Sequence, residues 1–166
     1  MNAPRIELRP ERNDDEPLLY ALYASTREEE MALTGWDERT RAQFLQMQFH
    51  AQRTGYGGMF PGAQFDIVSV DGVSAGRIVV NRTAEEIRIV DLVLAPEFRA
   101  RGIGTWLLRS IIGEAADSHR PLRLHVVRGN RALRFYQRLG FVPIAESPSH
   151  VEMERKVSRH TSCSPA

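Results

Sequence analysis

Apolar and polar positions along the chain separate strands from helices. Residues 5–9 alternate, with Ile6 and Leu8 set among Arg5, Glu7 and Arg9, and predict a short first strand. Asp14, Asp15 and Glu16 then precede Pro17, the arrangement that opens a helix, and Leu18, Leu19, Leu22 and Tyr23 follow at helical spacing. A second helix is predicted over residues 38–53, with Phe44, Leu45, Met47, Gln48 and Phe49 on and around its inner face. The run Tyr56-Gly57-Gly58-Met59-Phe60-Pro61-Gly62 predicts a loop from its glycine and proline content. Three strands come next: residues 65–70, closed by the hairpin pair Asp71-Gly72, then 74–81, then 87–94, stopped by Pro96. Ile103, Leu107, Leu108, Ile111, Ile112 and Ala115 form one stripe of a helix over residues 103–116. Pro121 separates it from a short apolar strand over 122–127. Residues 130–139 predict a last helix, ended by Gly140 where a left-handed cap is needed. Residues 141–145 and 151–155 predict two final strands, and the polar residues 158–166 a frayed tail.

This order is α+β, or mixed α/β: an antiparallel meander leads into strand–helix–strand units. The middle crossover makes strands 87–94 and 122–127 locally parallel. A chain of 166 residues suffices for one domain with a substantial core, expected over residues 1–157.

Charge removes several function classes. Twenty-two basic against 21 acidic residues leave a net charge of +1, with no electrostatic case for nucleic acid or an anionic membrane as partner. A DNA-binding regulator also lacks a basic stripe and a helix-turn-helix pattern. No apolar run approaches the roughly 20 residues that span a bilayer. Residues 1–16 have no signal-peptide core, so a soluble cytoplasmic protein is expected. The single cysteine, Cys163, forms no internal disulfide, and the five histidines show no metal spacing; no metal is expected. His50, His119, His150 and His160 are read as surface residues, and Trp36 and Trp106 as packing residues.

The chemistry concentrates in Arg99-Ala100-Arg101-Gly102-Ile103-Gly104, between a strand end and a helix start. Such a junction leaves backbone N–H groups unpaired at the positive end of a helix dipole, where phosphate binds. Glycines keep side chains away from those amides, and Arg99 and Arg101 can add charge-assisted contacts. A diphosphate site is therefore expected. It is not a dinucleotide fingerprint, because Leu107 stands where a third glycine is needed. Nor is it a Walker A loop, since the segment has no lysine.

Arg99-x-x-Gly102-x-Gly104 resembles the acetyl-CoA-binding signature of the GNAT N-acetyltransferase superfamily, Arg/Gln-x-x-Gly-x-Gly/Ala. Downstream, strand 122–127 leads to Asn130, Ala132, Phe135-Tyr136 and Leu139-Gly140-Phe141. This is similar to the family's second signature, Asn-x-x-Ala-x-x-x-Tyr-x-x-x-Gly-Phe, in the right order and at the expected separation. The resemblance implies the GNAT fold: a central, mostly antiparallel sheet whose parallel fourth and fifth strands splay apart, flanked by helices. It implies an enzyme that moves an acetyl group from acetyl-CoA, its cosubstrate, to an amine of a small molecule or peptide by direct attack. Transfer of a longer acyl group and a non-catalytic acyl-CoA-binding regulatory module remain as alternatives. Family members often pair through edge strands, so a homodimer is within the same expectation.

Residue by residue, the resemblance assigns Leu92, Val93 and Leu94 to backbone hydrogen bonds with the pantetheine arm, as in strand addition. It assigns Arg99, Ala100, Arg101, Gly102, Ile103, Gly104 and Thr105 to the pyrophosphate. Asn130 would approach the cofactor, and Tyr136 the thioester sulfur as general acid. An aromatic that only packs helix on sheet is the other account of Tyr136. For the base, Asp91 is a carboxylate in an otherwise apolar strand; a carboxylate hydrogen-bonded within the sheet is the alternative. Many family members carry a glutamate near position 88, where this chain has Arg88. His125 alternates away from Leu124 and Val126. The run Arg27-Glu28-Glu29-Glu30 reads as a solvated helix end, yet it lies where the family builds its acceptor wall, and its acidic residues would suit a cationic amine.

Overall fold

A computed structural model describes residues 3–157. His160, Cys163 and the tail over 158–166 lie outside the described residues. Seven strands form one sheet in the order β1-β2-β3-β4-β5-β7-β6. They are β1 (Ile6–Pro10), β2 (Gln64–Val70), β3 (Val73–Arg82), β4 (Ile87–Leu94), β5 (Leu122–Val127), β6 (Val142–Glu146) and β7 (His150–Arg155). The helices are α1 (Glu16–Thr26), α2 (Glu28–Ala32), α3 (Glu38–Met59), α4 (Ile103–Asp117) and α5 (Ala132–Arg138). The pairs β1–β2, β2–β3, β5–β7 and β7–β6 are antiparallel. β4 and β5 are parallel, in register from Ile87↔Leu122 to Ile89↔Leu124, while β4 runs on to Leu94. The mixed architecture is the one expected from the sequence.

The chain divides into two compact portions. Residues up to Asn81, with Val90–Trp106, make the first; Arg82–Ile89, with the chain from Leu107 onward, make the second. In the first, Leu19 and Tyr23 of α1, Phe49 of α3 and Ile67 of β2 form a buried cluster, with Leu18, Tyr20 and Leu45 packed against it. The rings of Tyr20 and Tyr23 stand 5.7 and 5.9 Å from that of Phe49. In the second, Leu107, Leu108, Ile111 and Ala115 of α4 are buried, as are Leu122, Leu124 and Val126 of β5. The α4 stripe is thus as its spacing predicts.

Helix α3 overturns the loop expected over residues 56–62: it continues to Met59, and Phe60 N–H donates to Tyr56 O at 2.9 Å. Three glycines cost such a helix about 1 kcal/mol each. Tertiary anchors on one face offset that cost. Phe49 is fully buried, Arg53 lies 5.6 Å over its ring and pairs with Glu11, and the ring of Tyr56 lies under Arg77. Met47, placed near the inner face by the sequence, is instead exposed. The short α2 was also unforeseen. The tryptophans are not core residues either: Trp36 touches the Phe44 ring yet is 42% exposed, and Trp106 is 50% exposed.

Between β3 and β4 the main chains come unusually close. A Cβ on Gly76 would lie 3.1 Å from Leu94 Cα and collide with the carbonyl oxygen of Val93, so glycine is required there. Thr83 N–H bonds Glu86 O, and Ala95 N–H bonds Ala75 O.

Candidate active site

The segment after β4 bends twice through left-handed backbone. A one-turn 3-10 helix, Pro96–Phe98, follows the strand; Ala100 then has φ 56° and Gly102 φ 79°. Glycine suits position 102 because of that φ, and a Cβ there would point into open space. The first helical bond of α4 runs from Trp106 N–H to Gly102 O at 3.0 Å. The amides of Ile103, Gly104 and Thr105 therefore precede the first intrahelical donor, at the positive end of a helix of 15 residues. Ile103 itself is buried and roots the turn in the core.

The two arginines of this segment differ. Arg99 Nε donates to Leu94 O at 2.9 Å and its Nη2 to Ser25 Oγ at 2.8 Å, so this side chain ties the end of β4 to α1. Arg101 stays exposed, 5.5 Å over the Phe98 ring.

On β4, Asp91 accepts a hydrogen bond of 2.5 Å from Nη2 of Arg77, a β3 residue only 4% exposed. Arg77 Nη1 lies 4.0 Å from Glu11, which also binds Arg53 at 3.1 Å. The Arg77 guanidinium is 5.9 Å from the Tyr56 ring centre. Burial first, and the Asp91 charge second, push the Tyr56 hydroxyl well above its ordinary pKa. Sequence reasoning singled out Asp91 but missed Arg77, Tyr56 and Glu11. The available signal was an arginine at 77 among Val73, Ala75, Ile78, Val79 and Val80, a run the structure buries from Ala75 to Val80, since a buried charge needs a partner. Leu92, Val93 and Leu94 are partly buried.

In the second portion, Asn130 Oδ1 accepts from the N–H of Ala132, the first residue of α5, at 2.9 Å. Tyr136 sits on α5 with its ring 5.3 Å from Phe135 and 5.7 Å, edge-on, from the buried Phe141. A charged lattice crosses β4, β5 and β7. Arg88 donates to Glu86 at 2.7 Å and Glu152 at 2.9 Å, and Arg123 to Glu86 at 2.9 Å and Glu154 at 2.8 Å. Burial acts to raise the Glu86 pKa, but the hydrogen bonds from Arg88 and Arg123 prevail and hold it below the usual range. Arg88 Nη1 also lies 3.0 Å from Nδ1 of the exposed His125. Burial, then the Arg88 charge, lower the pKa of that imidazole.

Among the described residues, no group of three or more His, Cys, Asp or Glu side chains is placed to hold a metal. No helix among them is long and apolar enough to cross a membrane.

Comparison with known proteins follows the same line. Residues 61–143, half of the chain, match the acetyltransferase (GNAT) domain. The structure is similar to that of the PaiA N-acetyltransferase from Thermoplasma acidophilum in complex with coenzyme A. The TM-score is 0.68 and identity 21%, over 92% of this chain and 99% of that one. An acetyltransferase from Thermus thermophilus is similar at TM-score 0.65 and 20% identity, over 92% and 97%. So is a GNAT family acetyltransferase from Elizabethkingia anophelis with acetyl-CoA bound, at 0.55 and 17%, over 92% and 98%. No curated protein sequence matches the chain.

Proposed function

Since this chain belongs to the GNAT acetyltransferase family, we propose that it transfers the acetyl group of acetyl-CoA to a primary amine of a small molecule or peptide. The observation that carries this is the turn at Gly102, which leaves the amides of Ile103, Gly104 and Thr105 ahead of the first α4 hydrogen bond. In this proposal the diphosphate lies on those amides, with Ala100 and Gly102 shaping the turn and Arg101 adding charge. Arg99 acts through its bonds to Leu94 and Ser25, holding the turn against the strand end. The pantetheine arm pairs with the backbone of Leu92, Val93 and Leu94, beyond the last registered β5 partner of β4 at Ile89. Coenzyme A and acetyl-CoA in two similar structures support the choice of cosubstrate.

The chemistry is direct attack. A neutral amine nitrogen forms a bond to the thioester carbon, the carbon–sulfur bond breaks, and the ammonium proton passes to water. Tyr136 is the proposed donor of a proton to the departing thiolate, and Asn130 a contact for the cofactor. The bond from buried Arg77 supports the account of Asp91 as a carboxylate fixed within the sheet, and a water chain as the base. A cytoplasmic setting and pairing of two copies belong to the same proposal; β6, an edge strand exposed at all five positions, supports the pairing.

A second reading is a non-catalytic acyl-CoA-binding module. It is favoured by the structural partners of both candidate catalytic residues, Phe141 for Tyr136 and Arg77 for Asp91. Incubation with acetyl-CoA and a broad amine panel, followed by free-thiol release, separates the two. Catalysis predicts amine-dependent thiol release that is lost in Gly102→Glu, where bulk and negative charge meet the diphosphate. Cofactor binding without amine-dependent release on any panel member favours the module. Succinyl-CoA in the same assay tests for a longer acyl group.

A further inference from the structure

One buried cation in the first portion of the chain holds two side chains whose outer atoms are left open. The Arg77 guanidinium donates to Oδ2 of Asp91 and lies 5.9 Å from the centre of the Tyr56 ring. Arg77 is buried, whereas the Asp91 side chain is 22% exposed and Tyr56 is partly exposed. Neither Asp91 Oδ1 nor the Tyr56 hydroxyl has a hydrogen-bond partner among the described residues, and neither atom is sealed from solvent. Gly55 and Gly57 flank Tyr56 in α3. A Cβ on either meets nothing within 4 Å, and neither has positive φ. Packing and backbone geometry therefore do not ask for glycine there, and the flanks of the phenol are left bare. Position along β4 gives this opening a meaning, which rests on the acetyl-CoA proposal above. With the diphosphate on the amides of Ile103, Gly104 and Thr105 and the arm pairing back along Leu94, Val93 and Leu92, the thioester end comes level with Asp91.

We propose that Asp91 Oδ1 and the Tyr56 hydroxyl oxygen accept the two N–H bonds of the acceptor's primary amine, which makes Tyr56 a specificity-determining residue of the transfer. Both oxygens offer lone pairs to N–H donors. Paired in this way, the nitrogen keeps its own lone pair for the thioester carbon. As the carbon–nitrogen bond forms, positive charge builds on nitrogen beside the Asp91 carboxylate, which stabilises it. The carbon–sulfur bond then breaks, the thiolate takes its proton from Tyr136 and the ammonium proton passes to water. Tyr56 neither gains nor loses a proton: burial, then the Asp91 charge, keep the phenol protonated. Arg27, whose charge also reaches Tyr56, is itself paired with Glu30 at 3.1 Å. A secondary amine has a single N–H and leaves one of the two oxygens unpaired, so the site disfavours it.

The test compares the full-length protein with Tyr56→Phe, which keeps the ring beside Arg77 and removes a hydroxyl without a protein partner, so the fold is retained. The probes are glycinamide, a primary amine, and sarcosinamide, its N-methyl secondary counterpart, at about pH 8.5, where an α-amino group is mostly neutral. Thiol release from acetyl-CoA gives kcat/KM for each amine, and calorimetry gives coenzyme A affinity. Amine binding is read directly on the carbon-13 NMR signal of Tyr56 Cζ, with and without coenzyme A; with four tyrosines in the chain, the variant assigns it. The proposal predicts a saturable shift of that signal with glycinamide and a weaker one with sarcosinamide. It also predicts kcat/KM about tenfold higher for glycinamide in the wild type, with that preference lost in Tyr56→Phe and coenzyme A affinity unchanged. Absence of the glycinamide shift, or an unchanged amine preference in Tyr56→Phe, overturns the proposal. Failure of the wild type to bind coenzyme A, with the glycinamide shift intact, instead counts against acetyl-CoA as cosubstrate.

Discussion

Replacing Gly76 by alanine tests whether the close approach of β3 to β4 shapes the strand that carries the proposed pantetheine contacts. The new Cβ would meet the Val93 carbonyl oxygen, with Leu94 Cδ2 at 2.8 Å and Leu94 Cα at 3.1 Å, against 3.4–4 Å for ordinary contact. Two of these three obstacles are main chain, so β4 itself must retreat, by an amount on the order of 1 Å, and overpacking of this kind costs about 1–3 kcal/mol. For a domain of this size each kcal/mol lowers Tm by about 2–4 °C, so a fall of roughly 2–12 °C is expected. A shift of β4 also misplaces the backbone proposed to pair with pantetheine, and weakening one such hydrogen bond by about 1 kcal/mol raises KM for acetyl-CoA by about fivefold. Gly58→Ala is the matched control: in α3 a Cβ at 58 meets nothing within 4 Å. There the same substitution is expected to stabilise by up to about 1 kcal/mol. Differential scanning calorimetry on both variants, with KM measured for each, gives the answer. A Gly76→Ala protein with wild-type Tm and KM would refute this account of β4.

Tyr136→Phe is expected to lower kcat about 100-fold with little change in acetyl-CoA affinity, as for loss of a general acid; an unaltered rate removes that role. Asp91→Asn leaves buried Arg77 with Glu11, 4.0 Å away, as its remaining carboxylate and is expected to cost about 2–4 kcal/mol by urea unfolding. The pH–rate profile of the surviving enzyme should keep its shape; loss of the acidic limb, where rate climbs as a base deprotonates, would restore Asp91 as the base. Glu86→Gln reads the charged lattice. The folded pKa of Glu86 lies below its unfolded value near 4.5, so its contribution is complete above that pH and lost as pH falls through the lower folded value. Wild type should therefore exceed Glu86→Gln in urea midpoint at pH 7, with the gap closing below about pH 4.5.

The parts of this molecule legible in its sequence are those written in consecutive residues. The α4 stripe, the β2–β3 turn at Asp71-Gly72 and the Gly102 segment each depend on neighbours within a few positions, where spacing and φ preferences act directly. The charged networks are not of that kind. Arg77 and Asp91 are 14 residues apart, Arg53 and Glu11 42, and Arg88 and Glu152 64, and only tertiary folding brings them together, strand to strand or, for Arg53, from α3. The same long-range contacts misled the local reading of residues 56–62. Glycine composition argued for a loop, but Arg77 on β3 gives Tyr56 a partner that keeps the helix intact. Tyr136 shows the limit from the other side. Its motif position is visible in the sequence, whereas its edge-on packing against Phe141 becomes visible only once α5 is laid beside the turn at Gly140.

A crystal structure of the chain grown with coenzyme A tests the central claim most directly. The account predicts the diphosphate oxygens at about 2.7–3.2 Å from the amide nitrogens of Ile103, Gly104 and Thr105. Coenzyme A bound with its diphosphate elsewhere, and those three amides facing solvent, would contradict it.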